Sequence, residues 1–409
     1  MSTAASVAIV GGGPAGAALA IRLAQLGRDV VVLERSANWH WRACGVFTSP
    51  ATVNALRRVG LTTTDLAEVA RPIPAMRVET ARGTRFRLTY GDDGSLTSPA
   101  VGLDRSRLDP LLLARARTAG AIVRQTSTVR EAALDQTPAR LELADGSVVE
   151  ADVVVGADGL HSVVARAAGV DRPARLGSRT GLTFHVSEPP GARDRPRDAR
   201  MILFEDGYVG LAPVPGGRVN VGIVLGGRWR ARLHQDGAAA VVAEVLRAIP
   251  PATEDDDPVD WTTVAGAPGA ICDEIEGAAP VGHRVARRSG PNWLLAGDAA
   301  GFLDPFTGEG LHRALVSAEL AASAIQRHLA GEADALAAYD RTMRARFGSK
   351  DVVSLLVQGF LAQPRLFEHA ARRLAARSGV RETMALVMGD LVPATRALDP
   401  RFVAALLRP

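Results

Sequence analysis

Hydrophobic residues near the start of the chain follow the pattern of a strand, a helix and a second strand. Residues 7–10 and 29–33 are short apolar runs, and residues 14–26 between them are rich in Ala and Leu at helical spacing. Two later runs, 153–155 and 293–296, are equally apolar. A βαβ opening followed by further apolar strands predicts a parallel sheet that is buried on both faces.

Alternating and helical patterns occupy the rest of the chain. Residues 72–90 predict a hairpin that turns at Arg82-Gly83, and strand-like pieces dominate residues 180–273, where residues 238–248 predict one interrupting helix. Apolar residues recur at three- and four-residue spacing beyond residue 340, which predicts helices. We therefore expect a second, mainly antiparallel sheet and a helical C-terminal region.

Composition excludes several classes of protein. The chain has 409 residues, of which 47% are hydrophobic and 22% are charged, as is typical of a soluble globular enzyme. Lys350 is the only lysine among 48 basic residues, so a Walker-type phosphate loop and most Schiff-base mechanisms are excluded. The net charge is only +4, and we expect no nucleic-acid partner.

Cysteine usage and hydropathy bear on the compartment. Cys44 and Cys272 lie far apart in the sequence and predict neither a disulfide framework nor a cysteine-rich metal site. No secretory leader pattern precedes the first strand, and no window approaches about 18 uninterrupted apolar residues. We expect a soluble, cytoplasmic protein without a metal ion.

The first chemical motif is Gly11-x-Gly13-x-x-Gly16, between the first strand and the first helix. Its glycines permit a tight turn, let the backbone approach a pyrophosphate and let the helix pack closely on the sheet, while the helix N-terminus faces the phosphate charge. Glu34 ends the second strand, where a carboxylate accepts hydrogen bonds from an adenosine ribose. Together these features predict a dinucleotide site.

Two more strands end in an aspartate beside a glycine, at Asp158-Gly159 and Gly297-Asp298. With these motifs the chain resembles the flavoprotein monooxygenase superfamily, whose members bind FAD. The resemblance implies that Asp298 binds the ribityl chain and that Asp158 lies near the pyrophosphate. Arg105 is similar to the arginine with which that family contacts FAD.

Details of the motifs resemble the geranylgeranyl reductase-like branch of that superfamily. Pro305, Gly308 and Gly310 are similar to its flavin-ring segment, and residues 42–45 to its basic-x-Cys-Gly segment. Gly308 and Gly310 would let backbone amides and a positive helix end face the flavin edge where negative charge collects on reduction. The cofactor-binding residues implied are Gly11, Gly13, Pro14, Ala15, Gly16, Glu34, Arg35, Arg42, Cys44, Gly45, Arg105, Asp158, Gly297, Asp298, Pro305, Gly308, Gly310 and Leu311.

The same resemblance implies an α/β fold: a Rossmann-type FAD-binding domain of three-layer ββα architecture, an inserted and mainly antiparallel β-sheet substrate domain, and a helical C-terminus. The helical region is expected to close the core, to form a dimer face or to make peripheral membrane contact, in a monomer or a homodimer. The predicted divisions are residues 1–71, 101–179 and 274–340 for the FAD-binding domain, 72–100 and 180–273 for the substrate domain, and 341–409 for the helical region.

Three residues are candidates for catalysis: Cys44, Tyr208 and Glu309. Cys44 is either an inert small hydrophobe or, beside Arg42, a polarised thiol that contacts the ring or protonates a carbanion after hydride delivery. Glu309 either hydrogen-bonds the substrate or caps the first turn of the next helix. Because Lys350 lies beyond the flavin segments, proton transfer is left to Cys44, Tyr208, a histidine or water.

The chain departs from the reductases at residues 208–213. Their corresponding stretch is similar to Tyr-x-Trp-x-Phe-Pro and lines the isoprenoid channel, whereas Gly210 and Ala212 stand at the Trp and Phe positions here. The small residues open space for a bulkier or polycyclic substrate, or other residues fill the gap. Trp39 and Trp41 either supply replacement aromatic surface or pack in the core.

These features predict an FAD-dependent oxidoreductase that takes electrons from NAD(P)H and acts on a lipophilic small molecule. The favoured reaction is saturation of a carbon–carbon double bond in an isoprenoid-like substrate. The alternative is a monooxygenase that hydroxylates or epoxidises an aromatic or polyketide-like substrate through a C4a-hydroperoxide. A non-catalytic flavin-fold binding protein is disfavoured because every motif is intact, and flavin halogenation because the halogenases' N-terminal-half lysine has no counterpart.

Overall fold

The computed structural model describes residues 2–39, 45–90, 99–174, 179–192, 195–251 and 257–408. The strands are β1 (Ser2–Val10), β2 (Val30–Leu33), β3 (Phe47–Thr48), β4 (Ala70–Ile73), β5 (Ala75–Glu79), β6 (Arg85–Thr89), β7 (Ala100–Leu103), β8 (Ile122–Arg124), β9 (Val129–Ala133), β10 (Ala139–Leu143), β11 (Val148–Gly156), β12 (Asp171–Arg172), β13 (Thr180–Ser187), β14 (Ala199–Phe204), β15 (Gly207–Val214), β16 (Arg218–Leu225), β17 (Glu276–Ala278), β18 (Arg284–Val285) and β19 (Trp293–Leu295).

Helices cover the first sheet and form the last part of the chain. They are α1 (Pro14–Gln25), α2 (Pro50–Arg58), α3 (Thr63–Val69), α4 (Arg105–Thr118), α5 (Val163–Ala167), α6 (Trp229–Arg247), α7 (Trp261–Gly266), α8 (Gly310–Leu329), α9 (Ala335–Leu361), α10 (Pro364–Ala376), α11 (Ser378–Met388) and α12 (Pro400–Leu407).

The first sheet is built around the parallel pair β1 and β11. This pair runs in register from Ser2 beside Val148 to Val10 beside Gly156. Strands β2 and β8 extend the sheet on one side, also in parallel, and β19 runs parallel to the end of β11 on the other side. Strands β10 and β9 complete it in antiparallel pairing. The predicted parallel, buried sheet is confirmed.

The second sheet has the strand order β17-β13-β16-β15-β14-β5-β6 and is antiparallel except where β14 meets β5. Its hairpin turns at Gly83, whose φ of 83° is left-handed, as the sequence predicts. One face, which we call the back face, packs on α6 and α7 through residues such as Val221 and Val245. The opposite front face packs partly on the C-terminal helices through residues such as Met201 and Leu374.

The helix within the second sheet differs from the prediction. It begins at Trp229, before the predicted residue 238, and is broken at Gly237, whose φ of 81° and ψ of 166° are not helical. The short helix α7 was not predicted, because only six residues carry its pattern; Asp260 caps it by accepting hydrogen bonds from the Thr262 and Thr263 amides. Both helices cover the back face.

The C-terminal helices lie against both sheets. Helix α9 crosses residue 340, and the Tyr339 hydroxyl donates a hydrogen bond to the Leu295 carbonyl at the end of β19, 2.7 Å away.

Strand β17 pairs with β13 in the second sheet. The predicted division into domains stays a prediction. Over the described ranges, no helix combines the length and apolarity that crossing a membrane requires.

A small third sheet, in the order β3-β7-β4, joins the two large ones. Gly102 in β7 lies against β15, and a Cβ atom on Gly102 would lie only 1.9 Å from the Pro213 carbonyl oxygen. The backbones of these two layers therefore touch, and only glycine fits between them.

We expect Gly102→Ala to destabilise the protein by about 1–3 kcal/mol, because the added methyl group must push two backbones apart. Thermal unfolding monitored by circular dichroism measures the effect as a lowered Tm. Gly266→Ala is the control, since a Cβ atom there would meet no atom within 4 Å. Equal Tm values for the two variants would contradict the close packing of β7 on β15.

Candidate active site

The glycine-rich turn between β1 and α1 leaves open space in front of the helix. Gly11 has a left-handed φ of 101°, and a Cβ atom on it would lie 2.4 Å from the Ala157 carbonyl oxygen. A Cβ atom on Gly16 would lie 2.0 Å from the Gly11 carbonyl oxygen, whereas one on Gly13 would meet nothing within 4 Å. The turn is thus tightly packed at Gly11 and Gly16 but open at Gly13, in front of the first amides of α1 after Pro14. Anion binding at a helix N-terminus requires such open space.

Glu34 ties the end of β2 to this turn. One carboxylate oxygen accepts a hydrogen bond from the Gly12 amide at 2.8 Å, and the other accepts one from the Ser36 amide at 3.0 Å. The residue is buried, and the next residue, Arg35, is exposed. Each carboxylate oxygen has two lone pairs, so the bonded Glu34 still has capacity to accept a ribose hydroxyl.

Asp158 follows β11 on the neighbouring strand end. One of its carboxylate oxygens accepts a hydrogen bond from the Val163 amide at 2.7 Å. The other, Oδ1, is buried and has no hydrogen-bond partner within the described part of the chain. Burial raises the pKa of Asp158 and outweighs the opposing effect of its hydrogen bonds. An orphaned carboxylate oxygen beside the glycine-rich turn suits a ligand that carries hydroxyl donors.

Asp298 lies in the turn that follows β19. Gly297 before it has a φ of 60°, and a Cβ atom on Gly297 would lie 2.8 Å from the Ala15 Cβ atom, so this turn packs directly on the start of α1. Burial raises the pKa of Asp298 to about 6, and the positive charges of Arg105 and Arg313 only partly oppose that shift. The carboxylate is therefore held at an energetic cost, which is typical of a functional position.

Arg105, the first residue of α4, is held by a neighbour that sequence reasoning missed. Its guanidinium donates two hydrogen bonds to the Asp109 carboxylate, at 2.7 and 2.9 Å, and a third to the Gly45 carbonyl at 3.3 Å. The i,i+4 spacing of Arg105 and Asp109 on a helix is the signal that could have revealed this pair. The pair orients the guanidinium and ties it to the Gly45 segment.

The predicted flavin-ring segment forms one short turn before α8. Pro305 begins a short 3-10 turn, and Gly308 after it has a left-handed φ of 65°. A Cβ atom on Gly308 would lie 2.8 Å from the Phe47 ring, so the turn lies tightly against β3. Helix α8 starts at Gly310, and Leu311 is buried. The first amides of this helix are the group that the resemblance assigns to the flavin.

Tyr208 and Glu309, two predicted catalytic residues, are held by polar partners. The Tyr208 hydroxyl donates to Asp304 Oδ1 at 2.6 Å, and Arg179 lies 3.1 Å from Asp304 Oδ2. Burial and the Asp304 charge raise the pKa of Tyr208 well above its usual range. The Glu309 carboxylate lies 3.2 Å from the ammonium of Lys350. Asp304, Arg179 and Lys350 were not predicted as site residues.

The remaining predicted residues divide into two groups. Arg42 and Cys44 lie outside the described residues, as does Trp41. The structure brings the turns at Gly11, Asp158 and Gly297 to one edge of the first sheet, since they follow three adjacent strands. The open space above Gly13 and the orphaned Asp158 oxygen fit a dinucleotide with hydroxyl groups between its bases.

Comparisons with known proteins agree with this geometry. The family described as FAD binding domain matches residues 4–352. The menaquinone reductase of Mycolicibacterium smegmatis is 28% identical over 405 residues, 96% of this chain and 93% of its own. Digeranylgeranylglycerophospholipid reductase 1 of Methanopyrus kandleri is 32% identical over 330 residues, 77% of this chain and 78% of its own.

A solved structure is also similar. The flavin-dependent halogenase CmlS superposes with a TM-score of 0.73 at 26% sequence identity. The similarity covers 91% of this chain but only 65% of the halogenase, so this chain spans less than two thirds of that protein.

We expect Asp298→Asn to stabilise the FAD-free protein at pH 8, to stabilise it about half as much at pH 5, and to change it little at pH 3. The folded-state pKa of about 6 lies above the ordinary value of 3.8, so the ionised carboxylate costs stability, and that cost appears as pH rises through this window. The measurement is Tm by scanning fluorimetry, with a gain of about 2–4 °C expected at pH 8.

The same substitution is expected to weaken FAD binding, because the amide replaces an ionised acceptor. Asp152→Asn, on an exposed position of β11, is the control for the change in net charge. Stabilisation of Asp298→Asn that is independent of pH, together with unchanged FAD affinity, would contradict both the buried charge and its assignment to the cofactor.

Proposed function

The chain belongs to the FAD binding domain family, in its geranylgeranyl reductase-like branch, and is an FAD-dependent oxidoreductase; we propose that it saturates a carbon–carbon double bond in the prenyl chain of a lipid with a ring-shaped head. Gly210 and Gly222, at the centre of the front face of the second sheet, are the observation that carries this proposal.

These two glycines stand directly opposite each other on β15 and β16. Neither has a left-handed φ, and a Cβ atom would have ordinary space at both: 3.7 Å to the Met201 methyl carbon from Gly210, and 4.0 Å to Asn220 Oδ1 from Gly222. Neither conformation nor packing therefore requires glycine. Glycine weakens a strand, and its presence there commonly marks the close approach of a ligand.

The surroundings of the glycine pair support an apolar chamber. Gly210 and Gly222 are half-buried, whereas Tyr208, Ala212 and Val224 on the same face are buried, so the gap in the packing lies over the two glycines. The gap lies next to the flavin-ring segment, because Tyr208 donates a hydrogen bond to Asp304 and its ring packs edge-on against Phe306. The centroids of these two rings are 5.1 Å apart. An apolar chamber with few polar groups suits a lipophilic substrate.

The named relatives support the same substrate class. One is named for the reduction of a prenylated phospholipid and the other for menaquinone, whose head is a fused ring. The menaquinone reductase matches nearly the full length of both chains. Gly210 and Gly222 carry no side chain over this part of the front face, so a ring system would meet less steric obstruction there than beside a Trp side chain. We therefore favour the ring-headed substrate.

Bound FAD supplies the hydride for such a reduction, and the protein supplies a proton and a dry chamber. The Tyr208 hydroxyl donates a hydrogen bond to Asp304, which also pairs with Arg179, so we assign Tyr208 to holding the flavin-ring segment in place. The Glu309 carboxylate forms an ion pair with Lys350, so we do not assign it to proton transfer. We propose Cys44, the third sequence candidate, as the proton donor, with a histidine or water as the alternatives.

NAD(P)H is our proposed electron donor. Among the described residues, Gly11 to Gly16 is the one strand–turn–helix unit with the dinucleotide pattern, and FAD occupies that unit in the proposal. The nicotinamide nucleotide would then dock transiently on the surface of the flavin site. Halogenation has no such support, since the only lysine is enclosed by Glu309 and Asp390.

The proposed reaction is tested with the purified, FAD-loaded protein, NADH or NADPH, and menaquinone or a geranylgeranyl phospholipid, without oxygen. After reoxidation of any quinol in air, mass spectrometry should show a lipid product that is heavier by two hydrogen atoms, and fragmentation should place both atoms in the prenyl chain and not in the ring. A product heavier by one oxygen atom, formed only in air, would overturn the proposal in favour of a monooxygenase. Cys44→Ser should slow product formation when the rate is expressed per bound FAD.

Gly210→Trp tests the ring-binding chamber. We expect KM for the ring-headed lipid to rise about tenfold or more, because the indole would fill the space over Gly222, while an acyclic prenyl lipid is affected less. Gly210→Ala is the matched control, since its methyl group fits at ordinary contact distance. Equal losses with both lipids, or no loss with Gly210→Trp, would show that the ring does not lie over these glycines.

A further inference from the structure

The only lysine of the chain lies inside the protein, where it donates two hydrogen bonds and forms an ion pair with a third oxygen atom. Lys350, in α9, is 5% exposed. Its ammonium lies 2.8 Å from Asp390 Oδ1 and 3.2 Å from Glu309 Oε1, and it donates a further hydrogen bond to the Val387 carbonyl. The oxygen atoms come from two separate parts of the chain: the residue before α8, and the end of α11 with the residues after it.

The chemistry of the site explains why a lysine stands here in a chain whose other basic residues are all arginines. An ammonium is a compact charge with three donors, and here it meets two carboxylates and one carbonyl. A planar guanidinium would need a wider and flatter set of acceptors. Burial lowers the pKa of Lys350, but the charges of Glu309 and Asp390 raise it more, so the ammonium keeps its charge.

A fourth segment joins the cluster through Asp390. Its second carboxylate oxygen accepts a hydrogen bond from the Ser49 hydroxyl at 2.9 Å, and Ser49 directly precedes α2. Asp390 itself has a left-handed φ of 57°, which is unfavourable for a residue other than glycine. The surroundings therefore hold the Asp390 backbone in place, and its carboxylate bridges Ser49 and Lys350.

Glu309 connects this cluster to the flavin-ring segment. It stands between Gly308, which is packed tightly on Phe47, and Gly310, the first residue of α8. Its carbonyl accepts the hydrogen bond of the Arg313 amide in the first turn of that helix. A side chain held at this point restricts the direction in which the first amides of α8 face.

We propose that Lys350 is a positioning residue through which the docked C-terminal helices hold Glu309 and the N-terminus of α8 toward the cofactor. The inference rests on the assignment of the flavin-ring segment to FAD, and it is independent of which lipid is reduced. Docking of α9 and α11 thereby completes the cofactor site as well as covering the front face of the second sheet.

Because Lys350 is the only lysine in the sequence, amine labelling of the holoenzyme measures directly how well its ammonium is enclosed. Reductive methylation followed by peptide mass mapping distinguishes Lys350 from the α-amino group of the chain. We expect Lys350 to react far more slowly than the α-amino group, and Asp390→Asn to increase its rate of reaction. Equal rates for the two amines of the folded holoenzyme would overturn the proposal.

Lys350→Met tests the effect on the cofactor site, with Arg344→Met as the control. Arg344 lies on the same helix and forms an exposed ion pair with Asp340, so its loss removes a charge without reaching the cluster. We expect Lys350→Met to weaken FAD binding about tenfold and to change the visible spectrum of the bound flavin, while Arg344→Met changes neither. Lys350→Arg should not restore the wild-type values, because its planar group does not fit the three oxygen atoms.

A purely structural role predicts a different result. In that case Lys350→Met would lower Tm but leave the FAD dissociation constant and the flavin spectrum unchanged, which would overturn the proposal. If Lys350→Met does not fold, Asp390→Asn provides the same readouts with a smaller change. A protein that binds FAD normally but reduces no prenyl lipid would refute the proposed function. FAD affinity and the flavin spectrum of the Lys350 variants could still be measured in that case.

Discussion

Strands β1 and β11 run side by side in parallel over nine residues each, and the whole cofactor site depends on that pairing. Because parallel strands end at the same edge of a sheet, the turns that follow them meet there. The register brings Gly11 beside Ala157, and β2 and β19 add Glu34 and Gly297 to the same edge. A slip of the β1–β11 pair would move the glycine-rich turn away from the two aspartates.

This arrangement places carboxylates where burial disfavours their ionised form. Burial raises the pKa of Asp158, Asp298 and Glu309 alike, and only Glu309 has a lysine beside it. A folded protein does not otherwise gain from ionised groups in such positions. We attribute the placement of Asp158 and Asp298 at one edge of the sheet to the proposed cofactor, which would donate hydrogen bonds to these carboxylates. Stability and cofactor binding therefore oppose each other at this site.

Much of the site could be predicted from local sequence. The glycine-rich turn, Glu34 and the two Gly/Asp turns each depend on a few consecutive residues at a strand end, and backbone geometry allows few alternatives there. Tyr208 was predicted as a catalytic residue on family resemblance. Its partner Asp304 lies 96 positions away, and no pattern in the sequence links the two.

The sequence by itself determined the α/β class, the dinucleotide turn and the strand ends that lie next to this turn, because these follow from residue spacing within short segments. Only the tertiary structure decided what the polar groups do. Lys350 in α9 contacts Glu309 before α8 and Val387 in α11, and two strands place Gly210 and Gly222 opposite each other, where we propose the substrate chamber. Such contacts depend on the pairing of distant segments, which residue spacing does not specify.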